Sequence, residues 1–150
     1  MVQNSKKVLI TGVRGQLGST VYKYLSTFYN LLDDSLDEVK SLDITNRNSL
    51  EKTISNYSPD YIINCAAATN VDKCESNREW AYDVNVNGIK NIISSTNLTT
   101  KIIHISTDYI FDGKKESFNE EDIPNPLSYY GKIKLESENV LRSSNRKYLI

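Results

Sequence analysis

Three glycines directly after a short apolar run constrain the fold of this chain more than any other feature. They are Gly12, Gly15 and Gly18. The run Lys6–Thr11 precedes them, and the segment Gln16–Asn30 that they open has apolar residues at helical spacing. A strand, a glycine-rich turn and a helix in this order form the dinucleotide-binding fingerprint, in which N–H groups at the helix N-terminus face the phosphates. The motif therefore predicts a dinucleotide site.

The rest of the chain continues the alternation of strand-like and helical segments. Strands are predicted at 61–66, 101–106 and 147–150, and helices at 75–98 and 128–142, with Thr45 capping a further helix that continues to Tyr57. Only a brief strand is expected around Val39, after an acidic loop. This alternation predicts an α/β fold with a doubly wound parallel sheet of the Rossmann type.

The length of the chain predicts one domain. A chain of 150 residues can bury one core, so residues 1–150 are expected to form a single NAD(P)-binding domain. The sequence stops at Ile150, inside a predicted strand. We therefore expect the C-terminal substrate-binding part of a longer protein to be missing.

Charge and cysteine content narrow the classes of partner. The formal net charge of −1 gives no electrostatic reason to expect nucleic acid or an anionic membrane. No apolar run approaches the roughly 20 residues that span a bilayer, and the polar N-terminus does not resemble a signal peptide. Cys65 and Cys74 lack C-x-x-C spacing, so neither a metal site nor a disulfide is predicted. We expect a reduced, cytoplasmic protein.

Charged residues near the predicted second strand bear on the choice between NAD and NADP. An acidic residue at the end of that strand would bind the ribose 2′-hydroxyl of NAD. The candidates are Asp33, Asp34, Asp37 and Glu38. Arg14 would instead pair with the 2′-phosphate of NADP, although it reads equally well as a solvated loop residue. Between these two readings we expect NADPH as the cofactor, with NADH as the alternative.

A tyrosine and a lysine on the last predicted helix suggest proton transfer. Tyr130 and Lys134 are four residues apart and share one helix face. A neighbouring ammonium is expected to lower the pKa of the phenol, which can donate a proton to a carbonyl oxygen. In a chain with ten tyrosines such a pair also arises by chance. The Ser106–Thr107 hydroxyls end a strand at the edge where α/β sheets bind ligands, which favours the catalytic interpretation.

Four segments together resemble the dTDP-4-dehydrorhamnose reductase family of extended short-chain dehydrogenases/reductases. They are residues 12–18, 64–75, 106–113 and 130–136, in the family's order along the whole chain. The Ser-Thr-Asp-Tyr-Ile-Phe-Asp-Gly segment at 106–113 is the most specific of them. The resemblance implies reduction of the C4 keto group of a nucleotide-linked 4-keto-6-deoxy sugar by NADPH or NADH, in dTDP-L-rhamnose biosynthesis.

The resemblance also implies roles for individual residues. Tyr130 would be the proton donor, Lys134 would lower its pKa and bind the nicotinamide ribose, and Thr107 and Asp108 would contact the sugar. Tyr130 and Lys134 are also expected to contact the cofactor. The other expected cofactor-binding residues, which include the glycines and Arg14, are Gly12, Arg14, Gly15, Gln16, Leu17, Gly18, Asp43, Ile44, Ala66, Ala67, Ala68 and Thr69.

Two other functions remain open at this stage. Nucleotide-sugar epimerases and dehydratases share the glycine loop and the Tyr/Lys pair, and the regulatory subunit of methionine adenosyltransferase also resembles the family. His104 is expected to be a buried histidine rather than an acid–base group, and either Asn85 or Asn87 is expected to face the cofactor cleft and support the lysine through water. The sequence leaves open whether the nucleotide is dTDP or UDP. It also leaves open the oligomeric state, including whether the chain forms a homodimer.

Overall fold

A computed structural model of the chain describes residues 4–32 and 42–150, which contain one parallel sheet. Its strands are β1 (Asn4–Thr11), β2 (Tyr29–Leu31), β3 (Tyr61–Asn64), β4 (Lys101–His104) and β5 (Lys147–Leu149). The α-helices are α1 (Gln16–Leu25), α2 (Arg47–Tyr57), α3 (Val71–Ser76), α4 (Arg78–Tyr82), α5 (Gly88–Ser95) and α6 (Tyr129–Arg142). A π-helical turn, Asp83–Asn87, joins α4 to α5, and a 3-10 turn, Asp108–Ile110, follows β4. Across these described ranges, no helix is long and apolar enough to cross a membrane.

The strand order confirms the doubly wound sheet. The strands lie in the order β2-β1-β3-β4-β5, so the chain runs one way from β1 to β2 and the other way through β3 and β4 to β5. Right-handed crossovers then place α1 on one face and α2, α5 and α6 on the opposite face. Apolar residues from β1, β3, β4 and these three helices form the core between them: Leu9, Leu50, Ile54, Ile62, Ile89, Ile92, Ile102 and Leu141.

The helix predicted over Gln16–Asn30 is too long. Helix α1 ends at Leu25, and Tyr29 already begins β2, which pairs with β1. Phe28 suggested a longer helix because its spacing is helical, but it packs on the ring of Tyr24 at 5.5 Å between centroids. The edge of β1 gives residues 29–31 backbone partners that the sequence pattern does not show. The brief strand expected around Val39 and the acidic candidates Asp33, Asp34, Asp37 and Glu38 lie outside the described residues.

Two helix boundaries also differ from the prediction because asparagines cap them. Asn46, rather than Thr45, caps α2, and its side chain accepts a hydrogen bond from the Ser49 backbone N–H at 3.1 Å. The Thr45 hydroxyl donates instead to Asp43. The single helix predicted at 75–98 is divided at Asn77, whose side chain accepts from the Trp80 N–H, and by the π-helical turn.

The parallel register brings three strand ends together at one edge of the sheet. Thr11 pairs with Asn64, and Asn64 pairs with His104, so β1, β3 and β4 end side by side. The glycine loop, the segment after β3 and the segment after β4 therefore leave the sheet at the same edge. Open α/β sheets bind their ligands at this carboxyl edge.

Candidate active site

The glycine loop has the close backbone packing that a pyrophosphate-binding turn requires. Gly12 has φ +70°, and a Cβ there would lie 2.7 Å from the backbone nitrogen of Ala66. A Cβ on Gly18 would overlap the carbonyl oxygen of Gly12. Gly15 caps α1 without a side-chain hydrogen bond, so the first N–H groups of the ten-residue helix are open to an anion. The neighbouring Arg14, Gln16 and Leu17 are exposed at this turn.

The segment Ala66–Thr69 forms the other side of the cleft and is held from behind by Asn85. The Ala68 N–H donates to Asn85 Oδ1 at 3.1 Å, and Asn85 Nδ2 donates to the Ala68 carbonyl at 3.0 Å. Asn85 is buried in the π-helical turn, a rare geometry that is frequent at functional sites. Both ends of its amide are engaged by Ala68, whereas Asn87 donates to Asp83. Asn85 therefore supports the cleft through Ala68.

The predicted cofactor contacts at Asp43 and Ile44 differ from one another in exposure. The Ile44 side chain is buried in the core against Gly88, and its carbonyl accepts from Asn91 Nδ2 at 2.9 Å. Asp43 is exposed, and its carboxylate accepts from the backbone and the hydroxyl of Thr45. A contact of these two residues with the cofactor stays a prediction.

The structure brings the predicted catalytic hydroxyls together. The Thr107 hydroxyl lies near the phenol of Tyr130, which is 8% exposed at the start of α6, and it donates a hydrogen bond to Asp108 Oδ1 at 3.2 Å. Gly131 allows α6 to lie close to the 3-10 turn, because a Cβ there would overlap the carbonyl oxygen of Tyr109. The hydroxyl of Ser106 faces away and donates to the buried carboxylate of Glu138. Of the two strand-end hydroxyls proposed from the sequence, Thr107 is therefore the one in the site.

The expected lowering of the Tyr130 pKa is not seen in the structure. Burial raises the pKa of the phenol above its ordinary value, and the nearby Thr107 hydroxyl opposes this only in part. Lys134 does not offset the effect, because its ammonium donates to the Ile105 carbonyl at 2.7 Å. A raised pKa keeps Tyr130 protonated at neutral pH, which is the state that a proton donor needs.

Lys134 is a buried cation without a carboxylate partner. Its side chain is 2% exposed, and none of the ion pairs among the described residues includes it. Burial lowers the pKa of the amine to about 8, and the carboxylate of Glu138 opposes this only partly. Such a cation has spare hydrogen-bonding capacity for the hydroxyl groups of a ligand.

Comparison with known proteins decides the family. Residues 6–150 match the family model described as the RmlD substrate binding domain. The chain belongs to this family. A dTDP-4-dehydrorhamnose reductase of Aggregatibacter actinomycetemcomitans is 40% identical over an alignment of 148 residues, and the match covers 96% of this chain and 49% of that protein. The resemblance read from the four motifs is confirmed.

Two further RmlD relatives bear on function. The crystal structure of dTDP-4-dehydrorhamnose reductase from Bacillus anthracis in complex with NADP has a TM-score of 0.85 and 35% identity, and the match covers 97% of this chain and 52% of that one. Methionine adenosyltransferase 2 subunit beta of Bos taurus is 34% identical, with 94% and 44% covered. The chain thus spans about half the length of the relatives that it matches.

Several residues of the site were missed at the sequence level. Asn64 and Ser137 contact His104 beneath Lys134, and Glu138 accepts a hydrogen bond from Ser106. The helical period offered a signal for Ser137, which is three residues after Lys134. No such signal existed for Asn64, whose contact depends on strand register. Among the described residues, no cluster of three or more His, Cys, Asp or Glu could hold a metal ion.

Replacing Lys134 by Met is expected to stabilise the RmlD fold at pH 7. The lysine's pKa falls from 10.5 in the unfolded chain to about 8 in the folded one, so its buried charge costs up to about 3 kcal/mol at neutral pH. Between pH 8 and 10.5 the unfolded chain binds more protons, so this cost disappears as pH rises. Thermal unfolding at pH 7 and pH 10 should show a higher Tm for Lys134→Met at pH 7 and a smaller difference at pH 10.

The exposed neighbour Lys132 supplies the matched control for this variant. Lys132→Met should leave the Tm nearly unchanged at both pH values. A Lys134→Met protein that is less stable than wild type at pH 7 would show that the amine is neutralised by a partner in the fold.

Proposed function

We propose that this chain is the NADPH-binding part of a reductase that converts the C4 keto group of a nucleotide-linked 4-keto-6-deoxy sugar to a hydroxyl. The observation that carries the proposal is that the Thr107 hydroxyl lies near the Tyr130 phenol, with Lys134 one turn further along α6. These three groups lie at the carboxyl edge of the sheet, after a glycine loop built for a pyrophosphate. Membership of the RmlD family supports the same reading.

The residues present fit a nicotinamide dinucleotide. The cradle at Gly12 and Gly18 leaves no room for a Cβ, and the N-terminus of α1 at Gly15 lacks a side-chain cap. Ala67, Ala68 and Thr69 would line the opposite wall, and Lys134 would donate to the ribose hydroxyls. When bound, the reduced nicotinamide supplies a hydride to the sugar C4.

In this proposal Tyr130 supplies the proton that balances the reaction. The hydride adds to carbon while the carbonyl π electrons move to oxygen, and the phenol O–H bond breaks to protonate that oxygen. Thr107 would orient the phenol and the substrate, since its hydroxyl lies near the phenol and can reach the same substrate oxygen. The phenolate that forms then regains its proton from solvent.

The substrate would lie beside Asp108, and the cofactor would be NADPH. Asp108 lines an open cleft of about 450 Å³ together with Tyr109, Phe111 and Ser128. The Bacillus anthracis relative is in complex with NADP, and the exposed Arg14 of the glycine loop would pair with the 2′-phosphate. We assign the reaction to dTDP-L-rhamnose biosynthesis in the cytoplasm, with NADH as the alternative cofactor.

Cofactor consumption tests this proposal against its two rivals. The chain is mixed with NADPH and excess dTDP-4-keto-6-deoxy sugar, and nicotinamide absorbance is followed with product analysis. A reductase consumes one NADPH for each sugar reduced. Isomerised sugar without NADPH loss would indicate an epimerase. NADPH binding without any turnover would favour a regulatory role, which the similarity to methionine adenosyltransferase 2 subunit beta makes the second candidate.

A further inference from the structure

Four buried polar side chains form a line beneath Lys134. Thr11, Asn64 and His104 end β1, β3 and β4, and Ser137 lies on α6. None of the four is more than 2% exposed. The strand register places the first three side by side, because Thr11 pairs with Asn64 and Asn64 with His104. Such polar groups are costly to bury unless each one has a partner.

The hydrogen bonds of this line run in one direction. Thr11 Oγ1 donates to Asn64 Oδ1 at 2.5 Å, and Asn64 Nδ2 donates to His104 Nδ1 at 3.1 Å. Because Nδ1 accepts, the neutral ring carries its proton on Nε2, which donates to Ser137 Oγ at 2.9 Å. The Ser137 hydroxyl then donates to the main-chain carbonyl of Lys134 at 2.6 Å. Each of the four side chains thus donates a hydrogen bond to the next group in the line.

The imidazole stays neutral in this setting. Burial lowers the pKa of His104 to about 3, and the ammonium of Lys134 contributes in the same direction. Lys134 is the charged group that faces the ring from α6, with its Nζ 3.2 Å from Nε2. The next carboxylate on that helix, Glu138, is engaged by Ser106 and Arg142. A second proton on the ring would therefore face a cation without a counter-ion.

This tautomer leaves the lysine with one protein acceptor. The Nε2 proton already points to Ser137, so the nearby ring offers no lone pair to the ammonium. Its hydrogen bond goes to the Ile105 carbonyl at 2.7 Å. Within residues 4–32 and 42–150 the remaining ammonium hydrogens meet no other acceptor.

We propose that His104 is a positioning residue, a neutral Nε2–H imidazole that fixes the backbone of Lys134 through Ser137 and directs the ammonium hydrogens into the cofactor cleft. The inference rests on the proposed function, since the cleft is assigned to NADPH. It separates the role of His104 from acid–base chemistry, because the ring neither gains nor loses a proton during turnover.

The tautomer can be read directly, because His104 is the only histidine in the chain. Long-range ¹H–¹⁵N NMR of the uniformly labelled chain reports which ring nitrogen carries the proton, with no need for assignment or activity. We expect a protonated Nε2, an unprotonated Nδ1, and no titration between pH 8 and pH 5. An Nδ1–H tautomer, or titration near pH 6.5, would overturn the proposal whether or not the chain binds NADPH.

Two amide variants of His104 test the hydrogen bonds of its two ring nitrogens separately. His104→Gln places an amide near the Nε2 position and keeps a donor for Ser137, whereas His104→Asn reaches only the Nδ1 position next to Asn64. We expect His104→Asn to weaken NADPH binding about three- to tenfold, as for one lost hydrogen bond, and His104→Gln to retain most of the affinity. The opposite ranking would overturn the proposal.

A buried hydroxyl at the other edge of the sheet controls for a loss of stability alone. Thr100 is 1% exposed, and its hydroxyl donates to the Pro59 carbonyl at 2.9 Å, just before β4 begins. Thr100→Val should lower the Tm without changing NADPH affinity. Equal weakening of NADPH binding in Thr100→Val and His104→Asn would show that His104 acts through stability only. Failure of the wild-type chain to bind NADPH would instead count against the proposed function.

Discussion

Tyr130→Phe is expected to abolish sugar reduction and to leave NADPH binding intact. The variant removes the phenol proton, and general acid catalysis by a positioned side chain typically contributes about 10²- to 10⁴-fold to the rate. The ring remains in the cluster formed with Ala68, Cys74 and Ile133, so the fold and the cofactor cleft should be retained. The measurements are kcat for NADPH oxidation with the keto sugar and the Kd for NADPH.

Tyr24→Phe is a suitable control for this variant. Tyr24 lies on α1 and is 68% exposed, so losing its hydroxyl should change neither constant. Tyr130→Phe with wild-type kcat would remove the phenol from the mechanism. A parallel loss of NADPH affinity would instead place the hydroxyl in cofactor binding.

Gly18→Ala is expected to eliminate NADPH binding and to destabilise the domain. The added Cβ would overlap the backbone carbonyl of Gly12, which cannot move without disturbing the turn against Ala66. Overpacking of this kind typically costs about 1–3 kcal/mol. Nicotinamide fluorescence titration and thermal unfolding should both register the change.

Gly15→Ala separates the fold of the loop from its function. A Cβ on Gly15 lies 3.3 Å from the Gly12 oxygen, a tight contact that a small adjustment relieves. We expect a nearly unchanged Tm with weaker NADPH binding, because the methyl group stands where the pyrophosphate approaches the backbone. A Gly18→Ala protein that binds NADPH as wild type does would contradict the assignment of this loop.

The elements that sequence analysis identified are those determined by local pattern. A few neighbouring residues are enough to predict each of three elements: the strand in the run Lys6–Thr11, the glycine turn, and the capped helix that carries Tyr130 and Lys134. β2 was missed because it is short and depends on pairing with β1. The π-helical turn was missed because its sequence, which contains two asparagines, carries no signal that distinguishes it from the single helix predicted at 75–98.

The electrostatics of the site depended on tertiary contacts. Sequence spacing places Lys134 beside Tyr130 but does not show that the amine donates to Ile105, or that burial raises the pKa of the phenol. Likewise His104 was expected to be a buried histidine with a satisfied ring, and it is buried. Its partners come from β3 and α6, so only strand register and helix packing could identify them.

Binding of NADPH is the central claim, and titration of the chain with NADPH and with NADH tests it most directly. Nicotinamide fluorescence should show saturable binding in roughly the micromolar range, tighter for NADPH, and weakened by Lys134→Met but not by Lys132→Met. If neither nucleotide binds to a chain whose circular dichroism and cooperative unfolding show that it is folded, the glycine loop is not a dinucleotide site and the account is contradicted.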